Sequence, residues 1–488
     1  MTDLRSRVLR SGGWVAGSTA ILAVAQLIQL IVLARVLPQS EFAIVAILVM
    51  VQGFVEMLMI AGISNAIIQR QGATAGELSS LHWLNAAVGL MLGLGVVLLA
   101  PALGDFFNNP AAALPIAILG LAVPVNAQSH VSRACLERDL SFRSVALVET
   151  AAGLTSVLAV VGGSALCGIV GVSFGMLFGF LIRSGLFLYA GRQVFRLRAR
   201  FAFRETRRFL DFGIFQFLNS LVGFIDGNTA TILIGRSLSP TALGGYNLAY
   251  NTSVNVPGKI NPVITRVMFP ALSRLQDDTE RFSAAVLRLI SMTGTLNAPL
   301  MLALAITAPV FVPTVFGAKW GWAVSLVQIL ALSGFLRALA NPMGVVLMAK
   351  NRQRLGLTVN AAKTVVSIAL MLTGIHFGGV TGAAVALVAS GIMTLAVNQV
   401  LLRHLLGAGY LAIVRTHLLP ALAVTPAAAL GAIMMYLVAN VWMPIWTLLG
   451  VGTLILLVTA VTASALKLPA ARQIAELVKR GRWTRGRD

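Results

Sequence analysis

The stretch GRQVFRLRARFAFRETRR, residues 191–208, is the most polar part of the chain and separates six long apolar segments from eight. Its seven arginines have two readings: a nucleic-acid or regulatory patch, or a linker on an anionic inner leaflet, where each Lys or Arg is worth about 1 kcal/mol. The flanking sequence favours the second. Of 488 residues, 58% are hydrophobic and only 11% charged, with mean hydropathy +0.88. A soluble domain carries about 25% charged residues, so the composition argues against a water-soluble enzyme. A membrane-spanning helix needs roughly 20 apolar residues. That length places fourteen spans: 11–34, 42–63, 80–103, 111–131, 145–166, 168–190, 209–234, 243–269, 287–316, 322–348, 355–376, 378–402, 416–437 and 445–466. The N-terminus lacks a cleavage signature and reads as a retained cytoplasmic lead-in.

The chain carries 37 Lys and Arg against 16 acids, a net charge of +21. If the N-terminus is cytoplasmic, 29 of the 37 fall on inner segments, five lie within spans, and only Arg35, Arg236 and Lys319 lie on outer loops. Cytoplasmic loops of membrane proteins are enriched in Lys and Arg, so the basic charge is a topology signal placing both termini inside. It is not a nucleic-acid footprint. Cys135 and Cys167 fall on opposite sides of the bilayer, too far apart to pair. The five histidines show no metal-ligand spacing and there is no phosphate-binding Gly-Lys-Ser/Thr loop, so no metal, cofactor or ATP hydrolysis is expected.

Two stretches resemble each other across the linker. LARVLPQSEF (33–42) ends the first span and IGRSLSPTAL (234–243) ends the seventh, with Arg35 on Arg236 and an offset of 201. ERDLSFR (137–143) and KNRQRLG (350–356) are both short basic inner loops. The expectation is an all-α polytopic membrane protein with about 14 transmembrane helices. It comprises an N-terminal six-helix lobe (1–190), the linker (191–208), a second six-helix lobe (209–402), and an accessory helix pair with a basic tail (403–488). Six is even, so the lobes share an orientation, as in parallel-repeat transporters with a central cavity and a rocking motion.

Ionisable groups inside a membrane are costly and usually face a cavity or a partner. Glu149, Asp211 and Arg266 lie near inner helix ends and can snorkel. Glu56, Arg183, Asp226, Lys259, Arg337 and Lys363 lie deeper. Structural pairing, for example Asp226 with Lys259 or Arg337, is the plain reading. Against it, the deep cations outnumber the deep acids, and surplus positive charge favours an anionic cargo such as a phosphate, which Arg can grip through a bidentate fork. Gln216, Asn219, Gly223 and Asp226 share one helical face, and Asn247, Asn251, Asn255 and Lys259 recur every four residues beside Tyr246 and Tyr250. Such a stripe suits sugar hydroxyls; its alternative is interhelical hydrogen bonding worth about 0.6 kcal/mol on average. Pro257 and Pro262 imply a kink.

On LARVLPQSEFAIVAI (33–47), ERDLSFR (137–143), IGRSLSPTALGGYNLAY (234–250), RVMFPALSRLQDDTERF (266–282) and PVFVPTVFGAKWGWAVSLVQILAL (309–332), the sequence resembles the Wzx-type polysaccharide flippases of the multidrug, oligosaccharidyl-lipid and polysaccharide exporter superfamily. The resemblance implies a V-shaped bundle and a bacterial inner-membrane flippase carrying an undecaprenyl-pyrophosphate-linked oligosaccharide from the cytoplasmic to the periplasmic leaflet by alternating access. It also implies an accessory pair that could hold a lipid tail. Arg337, Lys363, Lys259, Arg183, Asn247, Asn251, Asn255 and Tyr250 are the expected cargo-binding residues, with Asp226, Glu56, Arg35 and Arg236 as coupling or gating candidates. Anionic lipid and other polysaccharide-assembly membrane proteins are the expected partners. A cation-coupled multidrug antiporter of the same superfamily would need excess acid in the cavity. A membrane polysaccharide polymerase or ligase would need a large outer loop, and neither is evident.

Overall fold

The computed structural model describes residues 2–60, 67, 74–192, 194–195, 197–198, 201–202, 213–407, 409–438, 441–466 and 468. Among them no strand occurs. The described residues form fifteen α-helices: α1 (Thr2–Val36), α2 (Gln39–Ile60), α3 (Ala75–Phe106), α4 (Ala113–Arg138), α5 (Phe142–Gly191), α6 (Gly213–Ser237), α7 (Pro240–Ser253), α8 (Asn255–Arg274), α9 (Thr279–Phe316), α10 (Val324–Ala340), α11 (Pro342–Ala349), α12 (Gln353–Leu406), α13 (Tyr410–Ala423), α14 (Thr425–Val438) and α15 (Pro444–Ala465). Among the described residues, eleven segments are long and apolar enough to cross a membrane.

Two of those segments make two passes each. In α5 the backbone leaves helical geometry at Cys167 and Gly168 (φ +57°, ψ −137°), and in α12 at Gly379 (φ +55°, ψ −135°). A side chain disfavours such positive φ, which is why glycine stands at both turns. Gly163 then faces Gly171, and Gly374 faces Gly382, so closely that a Cβ on any of the four would run into the opposing backbone. The expected span at 243–269 is the pair α7–α8, too polar for a simple hydropathy test, which brings the passes to the fourteen expected. Its break falls at Val254, not at the prolines themselves. Pro257 has no N–H for the Ser253 carbonyl four residues back and its ring crowds that oxygen; the Ser253 oxygen instead lies against Gly334. The spans at 322–348 and 416–437 are likewise broken, at Asn341 and Val424.

The chain forms two compact units, Met1–Gly244 and Gly245–Asp488. In the first, α4 packs along α3 and α5, and α1 along α5; in the second, α9 packs against α10, α13 and α15, so the accessory pair is docked on a core helix. The boundary lies beyond the 191–208 linker because α6 rests on α2, with Phe54 and Phe224 rings 5.3 Å apart. Part of the linker is itself seated. Trp83 Nε1 donates to the Arg198 carbonyl (3.0 Å), and the N–H groups of Arg198 and Ala202 donate to Ser79 and Ser80 hydroxyls (3.0 Å each). Phe195 is buried with Leu78, Leu81 and Val131.

A common register links the units. α4 ends with N–H groups of Asp139, Leu140 and Ser141 bonded to the carbonyls of Cys135, Glu137 and Leu136; α11 ends with Lys350, Asn351 and Arg352 bonded to Val346, Met348 and Leu347. Leu140 (φ +58°) and Asn351 (φ +54°) hold the left-handed position of this helix-ending motif. Every member of one turn is 211 residues from its counterpart, as are Gly163, Gly168 and Gly171 from Gly374, Gly379 and Gly382. The loop match therefore aligns ERDLSFR with residues 348–354, two residues from the register read in the sequence.

Candidate functional site

The second unit carries its polar groups on α7, α8, α10 and α12. Four-residue spacing stacks Asn247, Asn251 and Asn255 on one face. Asn251 Nδ2 donates to Asn247 Oδ1 (2.9 Å) and Asn255 Nδ2 to Asn251 Oδ1 (2.8 Å), so the amide ladder runs across the Val254 break. It leaves the Asn247 amide donors and the Asn255 carbonyl at its two ends. Tyr250 stacks on the buried Tyr246 (6.1 Å between centroids) and its hydroxyl accepts from Arg337 Nη1 at 3.0 Å. Arg337 is exposed. Lys363 is partly buried on α12, which packs against α10. Lys259 lies on α8, with its side chain outside the described residues. No acid occurs in the sequence between Glu280 and Glu476, so α10 and α12 hold their cations without a carboxylate of their own.

The first unit is built oppositely. Arg183, on the second arm of α5, donates from Nη2 to Glu149 (3.0 Å) and from Nη1 to Asn126 Oδ1 (3.1 Å), and lies 3.6 Å from Glu56. Arg133 joins Glu149 (3.1 Å) and Glu137 (2.9 Å). Arg183 is thus committed to carboxylates, and its expected place in an anion site is not the one the geometry gives it. Burying these charges is tolerable because each is paired and hydrogen-bonded. Glu149, dismissed in the sequence as a snorkelling end residue, is the hub. Asn126, Arg133 and Glu137 were not singled out; the polar run Asn126, Gln128, Ser129, His130 inside an apolar span was the available signal. The same holds in the second unit for Asn297, buried and bonded to Asn261 (2.9 Å).

Of the gating candidates, Arg236 closes α6 with a two-way clasp. Its Nη1 reaches the Phe106 carbonyl (3.3 Å) and Asn108 Oδ1 (3.4 Å), while Asn108 Nδ2 donates to the Arg236 carbonyl (2.7 Å). Phe107 fills the space over Gly235, and the guanidinium lies 5.6 Å from the Phe106 ring. Arg35 is exposed at the end of α1. Asp226 is exposed on α6 with Asn219 and Gly223, and no ion pair holds it among the described residues; Gln216 and Asp211 have no described side chain. Both cysteines are free.

The family model described as polysaccharide biosynthesis protein matches residues 32–325. The lipopolysaccharide biosynthesis protein WzxC of Escherichia coli K12 is 33% identical over 84% of this chain and 83% of its own length. The teichuronic acid biosynthesis protein TuaB of Bacillus subtilis is 28% identical over 72% and 73%. Among solved structures, the lipid II flippase MurJ in an inward closed conformation superposes with TM-score 0.75 over 92% of this chain and 97% of that one, at 14% identity. An inward-facing multidrug resistance MATE family transporter gives 0.56 over 82% and 94%, at 15%. These two likenesses speak to the fold alone. With a family match over more than half its length and a relative one-third identical along most of both sequences, the chain belongs to the polysaccharide biosynthesis protein family.

Proposed function

We propose that this flippase moves an undecaprenyl-pyrophosphate-linked oligosaccharide from the cytoplasmic to the periplasmic leaflet of a bacterial inner membrane by alternating access. The observation that carries the reading is that α10 and α12 of the second unit carry cations and no acid, with the Arg337 fork beside Tyr250 and the Asn ladder. A pyrophosphate is a dense anion matched by a planar guanidinium. Lys363 and Lys259 add positive charge, and amide and phenol groups suit sugar hydroxyls. A cation antiporter would require carboxylates where α10 and α12 have none. A polymerase or ligase would require an outer catalytic domain, whereas the described outer turns at 37–38 and 107–112 are a few residues long.

In this reading the 6 + 6 + 2 division of the chain, with lobes at 1–190 and 209–402, is an internal duplication supported by the shared 211-residue register. Both termini are cytoplasmic, and the Arg236 clasp is a closure on the outer side that must release during export. A soluble short-chain polyprenyl pyrophosphate tests the headgroup assignment. The intact protein should bind it, the monophosphate should bind more weakly, and Arg337→Ala should lose at least tenfold in affinity, since bonds to charged groups contribute about 1.5–3 kcal/mol. Equal binding by wild type and Arg337→Ala would remove Arg337 from the site.

A further inference from the structure

Tyr246 of the second unit is a buried phenol with an unmade hydrogen bond. The residue is 2% exposed, and its hydroxyl has no hydrogen-bond partner among the described residues. Buried tyrosine hydroxyls ordinarily find a partner, and one left without carries the full desolvation penalty of the group. The packing on either side keeps it in place. Trp322, in the turn before α10, closes over Gly245 so tightly that a Cβ there would run into the indole ring. Further along the helix, Leu248 and Ala249 are fully buried, and the Ser253 hydroxyl donates to the Val327 carbonyl of α10 (3.3 Å). Held on both sides of Tyr246, α7 cannot turn to bring the phenol to water.

Two observations tie this hydroxyl to the cargo site. The groups that act on it electrostatically are Tyr250 and Arg337. These are the pair that meet at 3.0 Å, and the Tyr250 ring stacks on that of Tyr246 with 24° between their planes. The repeat supplies the second observation. At the offset of 201, α7 begins where α2 does, Pro240 on Gln39. In that register the counterparts of Tyr246, Asn247, Tyr250, Asn251 and Asn255 are Val45, Ala46, Val49, Met50 and Phe54, all apolar. The helix therefore forms in the first unit without a phenol or an amide at any of these positions. A rigidly held, unsatisfied donor beside a guanidinium is preorganised for an anion, because its desolvation and ordering precede binding. We infer that Tyr246 is a specificity-determining residue of the headgroup site: its hydroxyl donates to a phosphate oxygen of the cargo once the anion draws Arg337 off Tyr250 and the Tyr250 ring moves aside. The inference rests on the headgroup reading of Arg337 and adds an uncharged donor to it. The hydroxyl then destabilises the protein alone and stabilises its complex.

The test reads affinity and thermal stability together, on the intact purified protein with the soluble short-chain polyprenyl pyrophosphate as probe. Tyr246→Phe removes the hydroxyl and keeps the ring. It should weaken binding of the probe by about tenfold, the loss of one bond to a charged acceptor. The Tm without the probe should stay level or rise by about 1 °C, because a buried group with no partner has been removed. A hydroxyl with a structural role would give the reverse, a lower Tm and an unchanged affinity. Tyr189→Phe, at an exposed tyrosine near the end of α5, should match wild type in both readings. Loss of binding in Arg337→Ala with Tyr246→Phe equal to wild type would overturn the inference and leave the headgroup reading standing. Equal binding by all three proteins, or none by the wild type, would remove both. A fall in Tm, or failure of Tyr246→Phe to accumulate, would also overturn the inference, by showing that the protein itself satisfies the hydroxyl.

Discussion

Leu140 holds a left-handed backbone conformation that costs a side-chain-bearing residue about 1–2 kcal/mol. Its counterpart 211 residues on is Asn351, a type that tolerates this region. Leu140→Asn should therefore stabilise the protein by about 1 kcal/mol, read as a higher Tm with unchanged export; a fall in Tm would mean that the half-exposed leucine side chain contributes more than its backbone strain costs. Arg183 and Arg337 make a contrasting pair. Arg183→Leu leaves Glu149 without its 3.0 Å partner and should lower stability by about 2 kcal/mol, a value reduced from the fully buried case because these side chains keep some exposure. Adding Glu56→Gln should recover part of that loss. Arg337→Ala, at an exposed position, should instead abolish export while the protein accumulates normally. The sequence placed both arginines at membrane depth but could not tell them apart. What separates them is which helices carry acids, and that depends on α2, α4 and α5 coming together. The Asn ladder was legible because its four-residue spacing lies within consecutive helical turns.

The α5 and α12 hairpins turn on glycines whose necessity is steric. Gly171→Leu and Gly382→Leu should each abolish accumulation of folded protein, since the added side chain meets the facing backbone and the two arms cannot approach. Normal folding of either variant would show that the arms can separate. The clasp between α6 and the turn after α3 makes a different prediction. With Cys167 replaced by Ser, cysteines at Asn108 and Arg236 joined by a short thiol-specific crosslinker should block export, and reduction should restore it. Export with the crosslink complete would show that the clasp need not open. Apolar length located the passes other than the polar pair α7–α8, including both arms of the two hairpins, because it is a property of each segment. It could not place breaks at Val254, Asn341 and Val424, each of which falls shortly before a proline (Pro257, Pro342, Pro426) that withholds its N–H from the preceding turn. Nor could it see α6 resting on α2, a contact between segments far apart in the chain.

At the scale of the whole molecule, the charge bias that organised the sequence makes a topology prediction. Reporter fusions after Asp105 and Lys319 should read as periplasmic, and those after Arg143 and Asp278 as cytoplasmic; a periplasmic signal at Arg143 would invert the map. The two units divide the electrostatic work. The first sets three carboxylates against two arginines in one ion-pair network among the described residues, and the second presents arginine and lysine on α10 and α12, which carry no acids. That asymmetry was present in the sequence as the long interval free of Asp and Glu, and the structure gives it meaning by pairing Arg133 and Arg183 of the first unit with that unit's own carboxylates. The most direct measurement of the central claim is translocation of an undecaprenyl-pyrophosphate-linked oligosaccharide in proteoliposomes containing only this protein, read by access of a membrane-impermeant sugar-modifying enzyme to the labelled lipid. The account predicts protein-dependent movement between leaflets that Arg337→Ala abolishes at equal reconstitution. No movement with the wild type, or undiminished movement with Arg337→Ala, would contradict it.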